Sequence, residues 1–298
     1  MDYRVRWIRI NLALLVIACP VYAAKFAHEY RLGRIRIFYD TIGTNAVDTA
    51  NVEDIAKQTS AAYSLFVETL GFPDPFKTER FRGASFLDIH LLHKSILRFN
   101  GVACDELQRF KRPGDPTNTL SLCFNVATSV KASANLTPAH EFFHLIQYST
   151  TYFKNAWYTE GMARWSEKAL GAGDLGKTGP KAAPPALFKM SYDAAEKFWN
   201  PLAAEDDAAG TIPEHLVSAE LKQLTYSTGA RVLQGFKLTG WRLMRDVLVE
   251  LDKADDVAFR ELGYDRWSEQ NQNSQKNNPH ILRAVAKVAR RRSAAAEA

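Results

Sequence analysis

The sequence predicts an α+β fold in which a small mixed sheet bearing a helix is followed by a mainly helical lobe. Two observations predict it. Short runs of strand-like alternation all lie before residue 126, and helical spacing dominates from residue 137 onward. With 46% hydrophobic residues over 298 positions and only 16 Gly and 12 Pro, the chain can bury a sizeable core and has little room for low-complexity linkers. The expected division is residues 1–23 as an export signal, 24–170 as the first lobe, 171–285 as an insertion and helical second lobe, and 286–298 as a basic tail.

Residues 1–23 read as an address. Arg4, Arg6 and Arg9 precede an apolar run over 10–18, Pro20 breaks the helix, and Val21-Tyr22-Ala23 offers small residues for cleavage after Ala23. Val16-Ile17-Ala18-Cys19 also resembles a bacterial lipoprotein box, in which Cys19 would carry a lipid anchor. The run is shorter than the roughly 20 apolar residues of a membrane span, and no later segment supplies one. The chain is therefore expected outside the cytoplasm, periplasmic or secreted, or anchored through Cys19. The formal charge of +5 sits largely at the two ends, in the leading arginines and in Lys287, Arg290, Arg291 and Arg292. That leaves a nearly neutral body and no nucleic-acid-binding face. The tail is either a solvated, frayed end or a contact for an acidic surface.

In order along the mature chain, residues 34–39 alternate charged and apolar side chains as a strand does. Residues 46–70 place Val52, Ile55, Ala62, Leu65 and Phe66 on one helical stripe, which Gly71 and Pro73 end. Residues 86–92 and 119–125 are again strand-like. Cys104 and Cys123 remain as a pair in an exported chain, so a disulfide closing a loop of 20 residues is expected, worth roughly 3 kcal/mol. Two buried thiols are the alternative.

Thr137-Pro138 announces a helix start, with a hydroxyl that can cap and a proline at the first helical position. His140-Glu141-Phe142-Phe143-His144 follows. Histidines at i and i+4 share one helix face, so both can reach one Zn²⁺ at about 2.0–2.1 Å. Glu141, about 100° round the helix, is placed to take a proton from a metal-bound water. This composition produces such a pentad by chance roughly 0.01 times, which is rare for one chain; two hydrogen-bonded histidines in a core helix are the competing reading. A third ligand decides, and Glu160 lies 16 residues past His144 on a second helix that packs back on the first.

His140-Glu141-x-x-His144 together with Trp157-x-x-Glu160-Gly161-x-Ala163 resembles the gluzincin metallopeptidases, especially the bacterial peptidase MA-like group. The resemblance is specific over residues 138–167 and looser over 34–267. It implies a zincin-like fold, with His140, His144 and Glu160 as zinc ligands and Glu141 as catalytic base. Where that family often has an aspartate four residues after the glutamate, this chain has Arg164, and Glu167 is the substitute partner for His140. The segment 224–230 resembles a later helix start of the same group, which makes Tyr226 either an oxyanion donor or a half-buried aromatic. The resemblance also makes residues 119–125 the edge strand over the cleft, unless that strand is internal.

Residues 171–222 are punctuated by Gly and Pro and read as an insertion that shapes or covers a pocket. His215 lies within it and either assists proton transfer or is solvent-exposed; His28, His90, His93 and His280 have no ligand spacing. The function expected is a zinc-dependent metallopeptidase, a hydrolase of peptide bonds in peptide or protein substrates. Two other classes compete: a non-catalytic exported zinc-binding protein recognising peptide or cell-envelope material, and a protein that binds partners through its basic tail.

Overall fold

The computed structural model describes residues 25–110, 112, 114–171 and 178–297; the expected export signal, with Cys19, and residues 172–177 of the insertion lie outside them. Five strands fall before residue 128: β1 (His28–Leu32), β2 (Ile35–Tyr39), β3 (Ala84–Leu92), β4 (Gly101–Ala103) and β5 (Leu120–Ala127). They form one mixed sheet in the order β1-β2-β3-β5-β4. The middle strands β2, β3 and β5 run parallel, and β1 and β4 pair antiparallel at the two edges. The strand over residues 119–125 is therefore internal. The edge is β4, whose three residues are too few to show alternation.

Helix α1 (Thr49–Tyr63) connects β2 to β3, capped by Asp48, whose carboxylate accepts from Ala50 N at 3.1 Å. A wider turn over Ser64–Thr69 and Gly71, at φ +70°, end it where the sequence predicts. Helix α2 (Lys94–Leu97) links β3 to β4. Helices α3 (Thr137–Thr150) and α4 (Ala156–Ser166) follow the sheet. The second half contains α5 (Pro184–Leu187), α6 (Asn200–Asp206), α7 (Ala219–Gln223), α8 (Trp241–Glu261), α9 (Glu269–Gln272) and α10 (Asn278–Glu297). The architecture is α+β, as expected.

Alternate sheet positions, Ile35, Ile37, Leu87, Ile89, Leu122, Phe124 and Val126, share one apolar core with Val52 and Ile55 of α1 and Phe142, Phe143 and Ile146 of α3. Each large apolar side chain so buried contributes on the order of 1.5–3 kcal/mol. Thr137 does not cap α3. Its hydroxyl and N–H both donate to Asn135 Oδ1, at 2.6 and 2.8 Å, and Gln58 of α1 accepts from Ala139 N at 3.1 Å. The start of the pentad helix is thus held by α1.

The other sheet face is polar and also buried. Arg36 is 1% exposed and pairs with Asp88 at 2.7 and 2.9 Å and with Asp115 at 2.6 Å. Ion pairs pin the 104–119 segment here, and the expected Cys104–Cys123 bridge is not formed. Cys123 is a free, buried thiol with Sγ 3.5 Å from His90 Nδ1. Cys104 meets Cys123 through a backbone bond of 2.9 Å from Cys104 N to Cys123 O. Arg112 donates to His90 Nε2 at 2.8 Å, so His90 Nδ1 carries the hydrogen toward Asn125 Oδ1 at 3.2 Å and cannot activate the thiol. Burial pushes the Cys123 thiol pKa up.

The basic stretch from Lys287 is no separate tail. It continues α10, which packs on α8 through buried Ile281, Val285 and Val288. Lys287 pairs with Glu250 at 2.6 Å, and Arg292 pairs with Asp206 at 2.5 Å and Asp246 at 3.1 Å.

Asp255 of α8 binds the end of α3, its Oδ2 accepting from Thr151 Oγ1 and Tyr152 N, both at 2.8 Å. Burial pushes its pKa up to about 7, against those hydrogen bonds and with help from Asp252 and Asp256. The folded state therefore keeps a proton that the unfolded chain releases near pH 4. Its stabilising effect is complete below that value and is lost as pH rises through about 7. Urea unfolding should show Asp255→Asn gaining on wild type by about 2 kcal/mol between pH 5 and pH 8. Parallel pH profiles for the two proteins would contradict the assignment.

Candidate metal centre

The α3–α4 reversal brings His140, His144 and Glu160 together; their ligand atoms all lie within 4.8 Å of one another. His140 Nε2 is 3.1 Å from His144 Nε2 and 3.4 Å from Glu160 Oε2, and His144 Nε2 is 3.5 Å from that same oxygen. Three donors arranged tetrahedrally at 2.0–2.1 Å from one ion are separated by about 3.4 Å. The residues present fit a zinc-sized cation.

The outer nitrogens fix how the rings are protonated. Gln147 Nε2 donates to Thr159 O at 3.1 Å, so its Oε1 accepts from His144 Nδ1 at 2.8 Å. Glu167 Oε1 accepts from His140 Nδ1 at 2.9 Å. With hydrogens on both Nδ1 atoms, the two Nε2 lone pairs and a carboxylate oxygen face one another, an arrangement that a cation between them would satisfy. Burial works against charge on His140, but Glu160, Glu167 and Glu141 outweigh it and push its pKa up to about 10. Burial alone would raise the Glu160 carboxyl, yet His144 and His140 hold it well below the usual carboxylate range.

Glu141 stands beside this group without belonging to it. Burial raises its pKa above the usual carboxylate value, against the pull of His140, His144 and a hydrogen bond from the Ala103 backbone. A raised pKa suits a group that must take and return a proton near neutrality. Strand β4 crosses directly over it. A Cβ on Gly101 would lie 2.6 Å from both Glu141 Cγ and Thr137 Cγ2, so only glycine lets the strand pass this close.

Tyr226 is not brought to the centre. It is buried, its hydroxyl accepts from Gln58 Nε2 at 2.9 Å, and it helps hold the start of α3. The phenol at the centre is Tyr192. Its ring lies 5.8 Å from that of His140, tilted by 30°, and its hydroxyl bonds to Glu160. Tyr192 comes from the 171–222 insertion, which packs on α4 through Leu187, Phe198 and Trp199. Gly161 permits this, since a Cβ there would stand 2.7 Å from Trp199 Cδ1 and 2.8 Å from Ala194 Cβ. His215 is exposed in a short turn over Glu214–Leu216, away from the centre. His93 caps α2, and His90 and His280 are buried elsewhere.

Two cavities flank the group. One, of about 570 Å³, is lined by Asn100, Asn135, Thr137, His140, Arg164 and Glu167; the other, of about 390 Å³, by Ala103, Asp105, His144, Lys154, Glu160 and Glu269. Phe99, Gly101, Glu141 and Tyr192 border both. Sequence reasoning missed Gln147 and Tyr192. Gln147, three residues after His144, could have been found from helical spacing; nothing in the local pattern marks Tyr192. Comparison of the chain with protein-family models, curated proteins and solved structures returns no match in any of the three.

Removing the groups that orient the imidazoles should weaken metal binding without removing a ligand. Gln147→Ala and Glu167→Ala are each expected to lower zinc affinity by about 10–100-fold in chelator competition. Unchanged affinity in both would show that the Nδ1 partners do not organise this site.

Proposed function

We propose that the chain is an exported, zinc-dependent peptidase of the gluzincin kind, with a zincin-like first lobe. The observation that carries this reading is the convergence of two Nδ1-pinned imidazoles and the Glu160 carboxylate beside a buried glutamate, at the junction of two cavities. A structural zinc site normally fills its fourth position with protein and needs no neighbouring base. Export rests on the leading arginines and apolar run of residues 1–23. No described helix is long and apolar enough to cross a membrane.

The residues divide the work. His140, His144 and Glu160 would hold the ion, which when bound supplies Lewis acidity toward water and the scissile carbonyl. Glu141 takes the proton of the attacking water and later returns it to the departing amine. Cys104 N donates to Cys123 O, and Ala127 N to Asn100 O. Gly101 and Ala103 are therefore the intervening positions of β4, whose N–H and C=O groups turn away from β5; the Ala103 N–H is taken by Glu141, which leaves the Gly101 groups and the Ala103 carbonyl open to a peptide. An extended peptide pairs with that edge and lies across Glu141. Tyr192, in place of Tyr226, offers its hydroxyl to the oxyanion that develops at the carbonyl.

Elemental analysis of residues 24–298 should find about one zinc per chain, weakened or lost in Glu160→Ala. Glu141→Gln should keep the metal and lose about 10²–10⁴-fold in turnover of labelled casein. Full activity in Glu141→Gln would remove that residue from its role. A folded chain that takes up no zinc would return the histidines to a purely structural reading. For Tyr192→Phe we expect kcat to fall about 10²-fold with KM little changed, while Tyr226→Phe alters stability more than kcat. The opposite pattern would restore Tyr226 as the oxyanion donor.

A further inference from the structure

The two cavities differ in the charge that they leave free. In the smaller one the cation is Lys154, whose Nζ is held by Asp105 and by Glu269, both at 2.5 Å. In the larger one the cation is Arg164. Its only bond among the described residues runs from Nη1 to Glu167, and its side chain is 54% exposed. Glu167 is in turn committed to His140 Nδ1. A guanidinium carries five N–H donors in a planar fork, and Arg164, which lines this cavity, spends one of them on Glu167.

Strand direction says what arrives there. The larger cavity lies at the Asn100–Gly101 end of β4 and the smaller at the Ala103–Asp105 end. Taking the peptide of the proposed function as antiparallel to β4, it runs from Ala103 toward Asn100. Its amino-terminal part covers the smaller cavity, and the part beyond the scissile bond enters the larger one. The chain terminus on that side is a carboxylate, and Arg164 is the cation lining that cavity.

We infer that Arg164 receives a substrate carboxylate on the leaving-group side of the scissile bond, so that the preferred substrates are short peptides carrying a carboxylate just downstream of the cut. This rests on the peptidase reading for its consequence in turnover, but the binding step can be tested apart from it. The carboxylate is either the peptide's own C-terminus or an Asp or Glu side chain.

The probes are dansyl-labelled peptides of two to six Ala and Phe residues, each with a free carboxylate and as its carboxamide twin, and a third, amidated series with one Glu. Binding is measured on zinc-loaded Glu141→Gln with and without Arg164→Gln; Arg164 is half exposed, and zinc content checks that Glu167 still supports His140. The free acids should bind at least about threefold tighter than the amides, and Arg164→Gln should abolish the difference while leaving the amides unchanged. Recovery of tight binding in the Glu series assigns the site to side-chain carboxylates; its absence assigns it to the C-terminus. Equal binding of acids and amides, or a difference that survives Arg164→Gln, overturns the inference. In the otherwise wild-type enzyme, Arg164→Gln should raise KM for the acids with kcat little altered. Acid-selective binding with no hydrolysis of any probe would sink the peptidase reading and leave the carboxylate site standing.

Discussion

Three lone pairs pointed at one another are the constraint on which the rest of the site depends. His140 Nε2, His144 Nε2 and Glu160 Oε2 lie 3.1–3.5 Å apart, and neither imidazole can turn its hydrogen inward without breaking the bond to Glu167 or Gln147. Such a cluster is costly in a low-dielectric interior unless a cation joins it. The surrounding fold keeps it from relaxing. Gln147 ties α3 to the Thr159 carbonyl of α4, and Asn155 and Trp157 at the start of α4 both donate to Asn278 Oδ1, at 2.8 and 2.7 Å. The helical second half thereby fixes the angle at which Glu160 approaches.

The sheet contributes position rather than chemistry. Its apolar face seats α1 and α3, and Gln58 on α1 supplies the acceptor that the first turn of α3 lacks. Its polar face locks the 104–119 segment through Arg36, Asp88 and Asp115, and so holds the strand that leads into Asp105 and the cleft wall. Losing one partner of so buried a pair costs about 3–5 kcal/mol, which makes the outer face a condition of cleft geometry despite its distance from His140, His144 and Glu160.

Much of the centre was legible because it is local. The i, i+4 histidines and the intervening glutamate follow from helical spacing, and Glu160 from one helix reversal. What the sequence left open depends on long-range packing. Three-residue β4 carries no period, so the edge strand was sought at residues 119–125. Arg36 alternates like a solvent-facing residue, and only tertiary contacts reveal its two carboxylate partners. The two cysteines are paired by strand register, but the Cys123 thiol faces His90 across the polar layer, which spacing along the chain does not show. Tyr226 and Tyr192 are both plausible phenols in isolation. Which one meets the centre is decided by Gly161, where the missing side chain admits Trp199 and carries Tyr192 over His140.

That last contact gives α4 two duties in consecutive residues. Glu160 projects toward His140 and His144, and Gly161 is the bearing surface on which the roof of the cleft rests. Roof and ligand therefore share a single beam. A variant that remodels the 191–199 segment transmits the change through Trp199 to the helix that aims Glu160. The positions of Tyr192 and Glu160 are mechanically coupled in this chain, and a change in the roof must be matched on α4 rather than made by loop exchange alone.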